Sequence, residues 1–561
     1  MGDTPQKELQ SKLAQLKRDG EERAARRLAE QLGVGYMDLS KTPAALDAVR
    51  LIPETVARDA KTAAIEVRGR QVAVAAVNPS LPATKKAIAD LEAEGHEAKL
   101  FVVSPSGLES AWQLYKFVKA TTAEITGKVS ITKERLEDLK SRLVNFDAIK
   151  KEFSGMDFSK ISPVAVIETM LGAAFAMRAS DVHAEAEEKK AKIRFRVDGL
   201  LHDVFDDVPL PAYRALISRI KLLSEMKLNV RDEAQDGRFT IGLSNKDIEM
   251  RVAVIPAEFG ETAVMRILDP SATMVGLADL GLRADNLAIV QKQIERPNGL
   301  ILNTGPTGSG KTTTLYAFLR TMNSPEIKII TLEDPIEYRI EGVEQTQVDN
   351  ESGYTFAKGL RAIVRQDPDV ILVGEVRDLE TADIALQAAL TGHLVLSTLH
   401  TNDAVGAVPR LINLGVKAVS IGPALSLAIA QRLVRVLCPE CKKPAADATG
   451  EMKANIKKFL DRLPAKVDKA PFQDYKIFES VGCTKCNGIG YKGRVGIFEF
   501  LEGGPDLERT ILKEASEVAL RDLAKRQEMV TMQEDGILKT LAGVTTLEEV
   551  KSVTGEIEWP A

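Results

Sequence analysis

Three observations predict a multidomain α/β chain built around a nucleotide-binding core. A phosphate-binding loop lies between a strand and a helix, acidic residues end two later apolar strands, and strand and helix patterns alternate over most of the length. The loop is Gly305-Pro306-Thr307-Gly308-Ser309-Gly310-Lys311-Thr312. Its glycines let successive N–H groups turn toward a phosphate, and the following helix adds partial positive charge. Lys311 is placed for the β- and γ-phosphates, the Thr312 hydroxyl for Mg²⁺, and Thr313 for the first helical turn. Gly299 to Asn303 reads as a short buried strand, and Thr313 to Met322 as a helix with Leu315, Phe318 and Leu319 on one face.

A length of 561 residues predicts three or four domains, and 44% hydrophobic with 28% charged residues is ordinary for globular protein. Seventy-five basic against eighty acidic residues leave a net charge of −5, which does not point to a nucleic-acid or anionic-membrane surface. The N-terminus lacks the basic and apolar regions of a signal peptide. The longest uncharged apolar run, Ala418 to Ala430, contains Pro423 and is shorter than the roughly 18 residues of a membrane span. The expected location is the cytoplasm, with membrane contact only through partners.

The segments read in order as an α/β domain at 1–118, a helical or flexible linker at 119–160, a second α/β domain at 161–272, the P-loop domain at 273–436, a cysteine module at 437–495 and a helical region at 496–561. Two strand ends follow the P-loop. Lys328 to Leu332 runs into Glu333-Asp334-Pro335-Ile336-Glu337-Tyr338, and Asp369 to Val373 runs into Gly374-Glu375-Val376-Arg377-Asp378. Hydrolysis needs acidic groups there to hold Mg²⁺ and place water, so Glu375 is the candidate for polarising water and Glu333 for supporting the metal or base. A third strand is bracketed by His393 and His400, two of five histidines, either of which would serve as a γ-phosphate sensor.

The four cysteines form two pairs, Cys438-Pro439-Glu440-Cys441 and Cys483-Thr484-Lys485-Cys486. In a reducing compartment this local spacing suits a closed tetrahedral Zn²⁺ site of structural type.

Glu333 to Tyr338, Arg365-Gln366-Asp367-Pro368-Asp369-Val370, Gly374 to Asp378 and Gly392 to Asn402 together resemble the Asp box, Walker B and His box of type II secretion and type IV pilus assembly ATPases. Ala179 to His183 with Arg194 to Gly199 resembles that family's second N-terminal, PAS-like domain. Residues 28 to 115 resemble its first, which docks onto a membrane partner. One departure is Gly374, where many P-loop enzymes place an Mg²⁺-binding Asp. A second is Arg231-Asp232-Glu233-Ala234, where the family has a more basic stretch and a proline.

The resemblance implies a RecA-like motor that works as a homo-hexamer, binds ATP and Mg²⁺, and acts with an inner-membrane platform protein and a membrane-associated cytoplasmic adaptor. It implies nucleotide-facing roles for Arg238, Arg251 and Arg266, because guanidinium groups neutralise γ-phosphate charge. The function it implies is ATP hydrolysis that powers pilin or pseudopilin fibre assembly. The rivals are a RecA-like nucleic-acid translocase, disfavoured by the balanced charge and sparse aromatics, and a nucleotide-binding regulator, disfavoured by the complete acidic set.

Overall fold

The computed structural model describes residues 4–39, 44–68, 70–93, 95–115, 128–243, 246–269, 275–445 and 450–560. Residues 116–127, across the expected boundary between the first domain and the linker, lie outside this set, as do 270–274 across the expected start of the P-loop domain. The rest of the linker stretch forms the short strand Lys128–Ser130 and helices Lys133–Arg142 and Phe146–Ser154. The Thr132 and Asn145 side chains cap those helices by accepting backbone N–H groups.

The chain divides into two compact units, one made of Met1–Val129, Ser162–Val164 and Ser218–Gly237, the other of Ser130–Ile161, Ala165–Ile217 and Arg238–Ala561. The first contains a four-stranded sheet in the order Gly35–Tyr36, Glu97–Val102, Gln71–Ala76, Thr62–Arg68. Its core gathers Ala64, Val72, Val74 and Leu91.

In the second unit an antiparallel sheet runs from Lys246–Ala257 through Gly260–Leu268, Asp181–Ala186 and Lys190–Val197 to Leu200–Pro209. Strand Lys190–Val197 alternates buried and half-buried residues, the pattern of a sheet covered on one face. The register sets Arg251 opposite Arg266, Arg266 opposite Asp181, and Asp181 opposite Arg196, one row of charge across four strands.

The same unit holds the sheet that carries the P-loop, ordered Glu344–Gln347, Ile329–Glu333, Val370–Val373, Leu394–Leu399, Gly299–Thr304, Leu425–Leu437, Tyr491–Glu502. All neighbours are parallel except the last pair. Val370–Val373 and Leu394–Leu399 are buried throughout, which explains why their text is continuously apolar rather than alternating. Successive residues still serve opposite faces. Leu300, Leu302, Ile371, Val373 and Val395 enter one core, while Ile301, Val370, Leu372, Leu394 and Leu396 enter the other. Helix Lys311–Met322 covers the second face with Leu315, Phe318 and Leu319, each fully buried and each contributing about 1.5–3 kcal/mol of transfer free energy. Helix Leu379–Leu390 covers the first with Ala382, Ala385 and Leu386.

The apolar run Ala418 to Ala430 is divided between helix Ala418–Ala424 and the start of strand Leu425–Leu437, both packed into the core of this sheet. Among the described residues, no helix is long and apolar enough to cross a membrane. Strands Leu425–Leu437 and Tyr491–Glu502 pair antiparallel, and the cysteine segment emerges from their far end, where Leu437 faces Tyr491. Its helix Gly450–Arg462 buries Ile456 and Phe459 against Ile537 and Leu538 of helix Met532–Leu541 and Val530 just before it.

Candidate functional site

The P-loop leaves its strand at Gly305, and its shape is set from below by one buried amide. Gly305 and Gly310 have φ of 147° and 91°, where only glycine is unstrained. Space reinforces the requirement, since a Cβ at Gly305 would lie 2.5 Å from the Gln431 carbonyl oxygen and one at Gly310 would lie 2.7 Å from Gln431 Nε2. Gln431 Oε1 accepts from Asn303 Nδ2 at 2.9 Å and from Thr314 Oγ1 at 2.8 Å. The strand before the loop and the helix after it are thereby pinned to one point.

Pro306, Thr307 and Gly308 are exposed, Ser309 is buried with its hydroxyl unpaired among the described residues, and Thr312 and Thr313 are half-buried in the first turn. Lys311 Nζ folds back onto the carbonyls of Gly305 at 2.8 Å and Pro306 at 3.1 Å. Burial lowers its pKa and the charge of Glu375 pulls the other way, so Lys311 is a partly desolvated cation beside the candidate base.

Glu375 stands just past the end of strand Val370–Val373. Its carboxylate pairs with Arg377 and lies 3.5 Å from His400 Nε2, while Arg377 also reaches Asp334 at 3.7 Å. The hydrogen bond to Glu375 raises the pKa of Arg377 against the effect of burial, with the charges of Glu375 and Asp334 adding to it. Gly374 lies close beneath the Glu333 strand: a Cβ there would meet the Leu332 carbonyl oxygen at 3.3 Å and Glu333 Cα at 3.4 Å. An Asp in its place would have to displace backbone.

Glu333 is 3% exposed and both its oxygens are engaged. Tyr316 donates to Oε2 at 2.5 Å, while Thr331 at 2.6 Å and Gln345 at 3.2 Å donate to Oε1. Burial pushes its pKa up against these three donors. This carboxyl braces the P-loop helix, through Tyr316, against its own strand.

The two histidines are separated by the length of one strand. His400 follows Leu399, which lies opposite Thr304 at the P-loop end of the sheet. His393 precedes Leu394, opposite Gly299 at the other end, and its Nδ1 is 3.0 Å from the Ala388 carbonyl. Six residues of strand separate them by about 20 Å at roughly 3.3 Å each, so His393 is not brought to the loop.

Arg251 reaches the segment after Glu333, donating to Glu337 at 3.1 Å and to the Ile336 carbonyl at 2.5 Å. Arg266 donates to buried Asp181 at 2.9 Å, and that pairing raises its pKa. Arg238, in strand Gln235–Leu243, is exposed, and its side chain has no hydrogen bond or ion pair among the described residues.

The four cysteine sulfurs lie within 4.8 Å of one another. Cys438 to Cys483 is 4.0 Å, and Cys441 to Cys486 and Cys483 to Cys486 are each 3.7 Å. Thiolates about 2.3 Å from one tetrahedral Zn²⁺ would stand about 3.8 Å apart, so this donor set fits that ion. The amides of Cys483 and Gly490 donate to Cys486 Sγ at 3.1 and 3.2 Å. Burial alone would raise that thiol, but these N–H groups prevail and bring it down to about 7.

Sequence reasoning passed over Gln431, Tyr316 and Arg377. Gln431 left a signal as a lone amide inside the apolar strand Leu425–Leu437. Arg377 stood two residues beyond Glu375, within reach of the same strand end.

Residues 157–552 match the family described as Type II/IV secretion system protein. The Type IV pilus assembly ATPase PilB of Myxococcus xanthus (strain DK1622) is 38% identical over 526 residues, covering 93% of this chain and 89% of that one. The Type II secretion system ATPase E of Vibrio cholerae serotype O1 (strain ATCC 39315 / El Tor Inaba N16961) is 40% identical over 494 residues, 84% of this chain and 95% of its own. The Legionella pneumophila ATPase DotB shares the fold, with a TM-score of 0.50 at 22% identity over 70% of this chain and 96% of that chain. On the family match and these two relatives, the chain belongs to the Type II/IV secretion system proteins.

Proposed function

We propose that this protein is a P-loop ATPase whose hydrolysis of ATP powers the assembly of pilin or pseudopilin fibres. The observation that carries the catalytic part is Glu375 at a parallel-strand end, held between Arg377 and His400 and electrostatically coupled to Lys311. Ligands of open parallel sheets gather at the carboxyl ends of strands, which is where the P-loop, Glu375 and His400 converge.

On this reading the loop amides from Gly305 to Gly310 cradle the phosphates. Lys311 exchanges its two loop carbonyls for β- and γ-phosphate oxygens. Thr312 offers a hydroxyl to Mg²⁺, which when bound neutralises charge on the phosphates. Glu375 orients the attacking water and accepts its proton, and His400 registers whether the γ-phosphate is in place. Glu333 enters as a brace for the loop rather than a second base, because both its oxygens are taken.

Arg238 is free to turn toward nucleotide, and Arg251 already grips the segment after Glu333; both neutralise charge as it develops on the phosphates. Arg266 holds Asp181 and acts behind them. His393 has no part in this site. Cys438, Cys441, Cys483 and Cys486 hold a structural Zn²⁺. With four thiolates it has no open position for chemistry.

The relatives' names support a machine of pilus assembly or type II secretion. We extend the reading to a homo-hexamer at the cytoplasmic face of the inner membrane, acting on a platform protein through a membrane-associated adaptor and binding no nucleic acid. Phosphate release from ATP by the purified chain tests the core of it. Lys311→Ala should abolish turnover together with nucleotide binding, whereas Glu375→Gln should lower kcat by about 10²–10⁴ and leave binding intact. Unchanged turnover in either variant would refute the assignment.

A further inference from the structure

The loop that carries His400 is tied down from behind by a buried carboxylate with no part in the chemistry above. Glu499, in strand Tyr491–Glu502, is 4% exposed and no cation contacts it among the described residues. One oxygen accepts the Ala404 N–H at 2.7 Å and the other accepts the Met532 N–H at 3.1 Å. Met532 is the first residue of helix Met532–Leu541. Burial raises the Glu499 pKa and the two amides pull it back. A buried carboxyl without a contacting counter-ion is unfavourable, and these two amides are its direct compensation, with the charge of Arg521 helping from beyond contact and that of Asp403 opposing it.

The geometry around it is stiff. Asp535 of the same helix accepts the Phe498 N–H at 2.8 Å and is itself held by Arg283 at 2.8 Å and Lys539 at 2.6 Å. Strand and helix therefore exchange carboxylate-to-amide bonds in both directions, at Glu499 and at Asp535. A second tether joins Asp403 to Arg521 of helix Glu517–Arg526 at 2.7 Å, while Asp403 also accepts the Gly406 N–H at 2.7 Å. On its other side the loop is fixed to the P-loop strand, where the Thr401 N–H donates to Thr304 Oγ1 at 2.7 Å.

We propose that Glu499 is a positioning residue for ATP hydrolysis: by joining the Ala404 amide to the start of helix Met532–Leu541, it sets where His400 meets Glu375. The C-terminal helical region is then part of the frame of the active site. The inference rests on the ATPase reading given above.

Steady-state kinetics of the full chain with Glu499→Gln, His400→Ala and the double variant test it. Glutamine keeps the shape but turns an NH₂ group against one of the two amides. The expected result for Glu499→Gln is a kcat about tenfold lower with KM for ATP moved less than about twofold, because the P-loop is untouched. In the His400→Ala background the same change should remove less than about twofold further, since its route to the chemistry is already gone. Factors that multiply in the double variant, or a KM that rises in step with the fall in kcat, would make Glu499 a purely structural residue and overturn the proposal. Arg521→Ala, which loosens the exposed tether to Asp403 while leaving both amide bonds to Glu499 in place, should show the same non-additivity with His400→Ala. If Glu499→Gln yields no folded protein, multiplicative behaviour of Arg521→Ala overturns it instead. A wild-type chain that hydrolyses no ATP would be a failure of the ATPase reading, separate from either result.

Discussion

Replacing Gln431 by leucine tests whether the P-loop is held by the amide beneath it. Gln431 is 2% exposed and its two donors, Asn303 and Thr314, are wholly buried. Both donate to the same oxygen, at 2.9 and 2.8 Å, so one substitution strands two groups. Asn303 has little to fall back on, because its Oδ1 already lacks a partner among the described residues. Each of the two stranded donors costs about 1–3 kcal/mol, and the added apolar burial of leucine returns roughly 1 kcal/mol, leaving a net loss of about 1–5 kcal/mol. Part of it will be felt at the loop: every ~1.4 kcal/mol expressed there weakens ATP binding about tenfold. Urea unfolding and ATP titration of the same preparations measure the two shares. Converting the partners as well, with Asn303→Leu and Thr314→Val, should recover most of the stability, because apolar groups of like shape leave nothing stranded. If Gln431→Leu unfolds within about 0.5 kcal/mol of wild type with unchanged ATP affinity, or if the triple variant is less stable than the single one, the keystone argument fails.

Glu333 makes stability depend on pH in a stated direction. Burial raises its folded-state pKa above 4.5, so the folded chain keeps a proton that the unfolded chain releases. Its contribution is therefore complete below 4.5 and lost as pH climbs through the raised value. Glu333→Gln, measured by thermal unfolding across that window, should match wild type at acid pH and exceed it toward neutrality; the opposite order would contradict the assigned shift. For the cysteine cluster, elemental analysis should find about one zinc per chain, lost in Cys486→Ser. Chelation should open the segment around Gly450–Arg462 to protease, since its core is shared with the C-terminal helices and a closed zinc site stabilises by on the order of 10 kcal/mol. A metal-free chain with the same protection would refute it.

The parts of this molecule legible in its sequence are those whose physics is local. Gly305 to Thr312 carries its own conformational requirement in its glycines. Val370 to Val373 announces a strand buried on both faces, and the acidic residue after it follows from the strand ending there. Gln431 and Glu499 act on the site across long stretches of chain, and nothing near them in the text points to the loop they support. The separation between the cysteine pairs looks long as a linear distance. It closes because Leu437 and Tyr491 are neighbours on antiparallel strands, a pairing that one-dimensional spacing does not express.

The two histidines show where sequence reasoning had the means to go further. Both bracket one apolar strand, and treated as a pair they look equivalent. A strand in a parallel sheet has two unlike ends, however, and the P-loop fixes which is which: it leaves the carboxyl end of Gly299–Thr304. Any strand parallel to that one brings its own carboxyl end to the nucleotide and its amino end about 20 Å away, at roughly 3.3 Å per residue over six residues. Direction alone therefore selects His400 and excludes His393, and it places Glu375 and Glu333, each at a carboxyl end, on the P-loop side. What separates those two acids is depth, which direction does not give. Glu375 follows Gly374, past the last hydrogen-bonded strand residue, and meets Arg377 and His400, whereas Glu333 is the final residue of its strand and turns inward to Tyr316. One residue of strand length thus divides the acid that faces water from the acid that holds the scaffold.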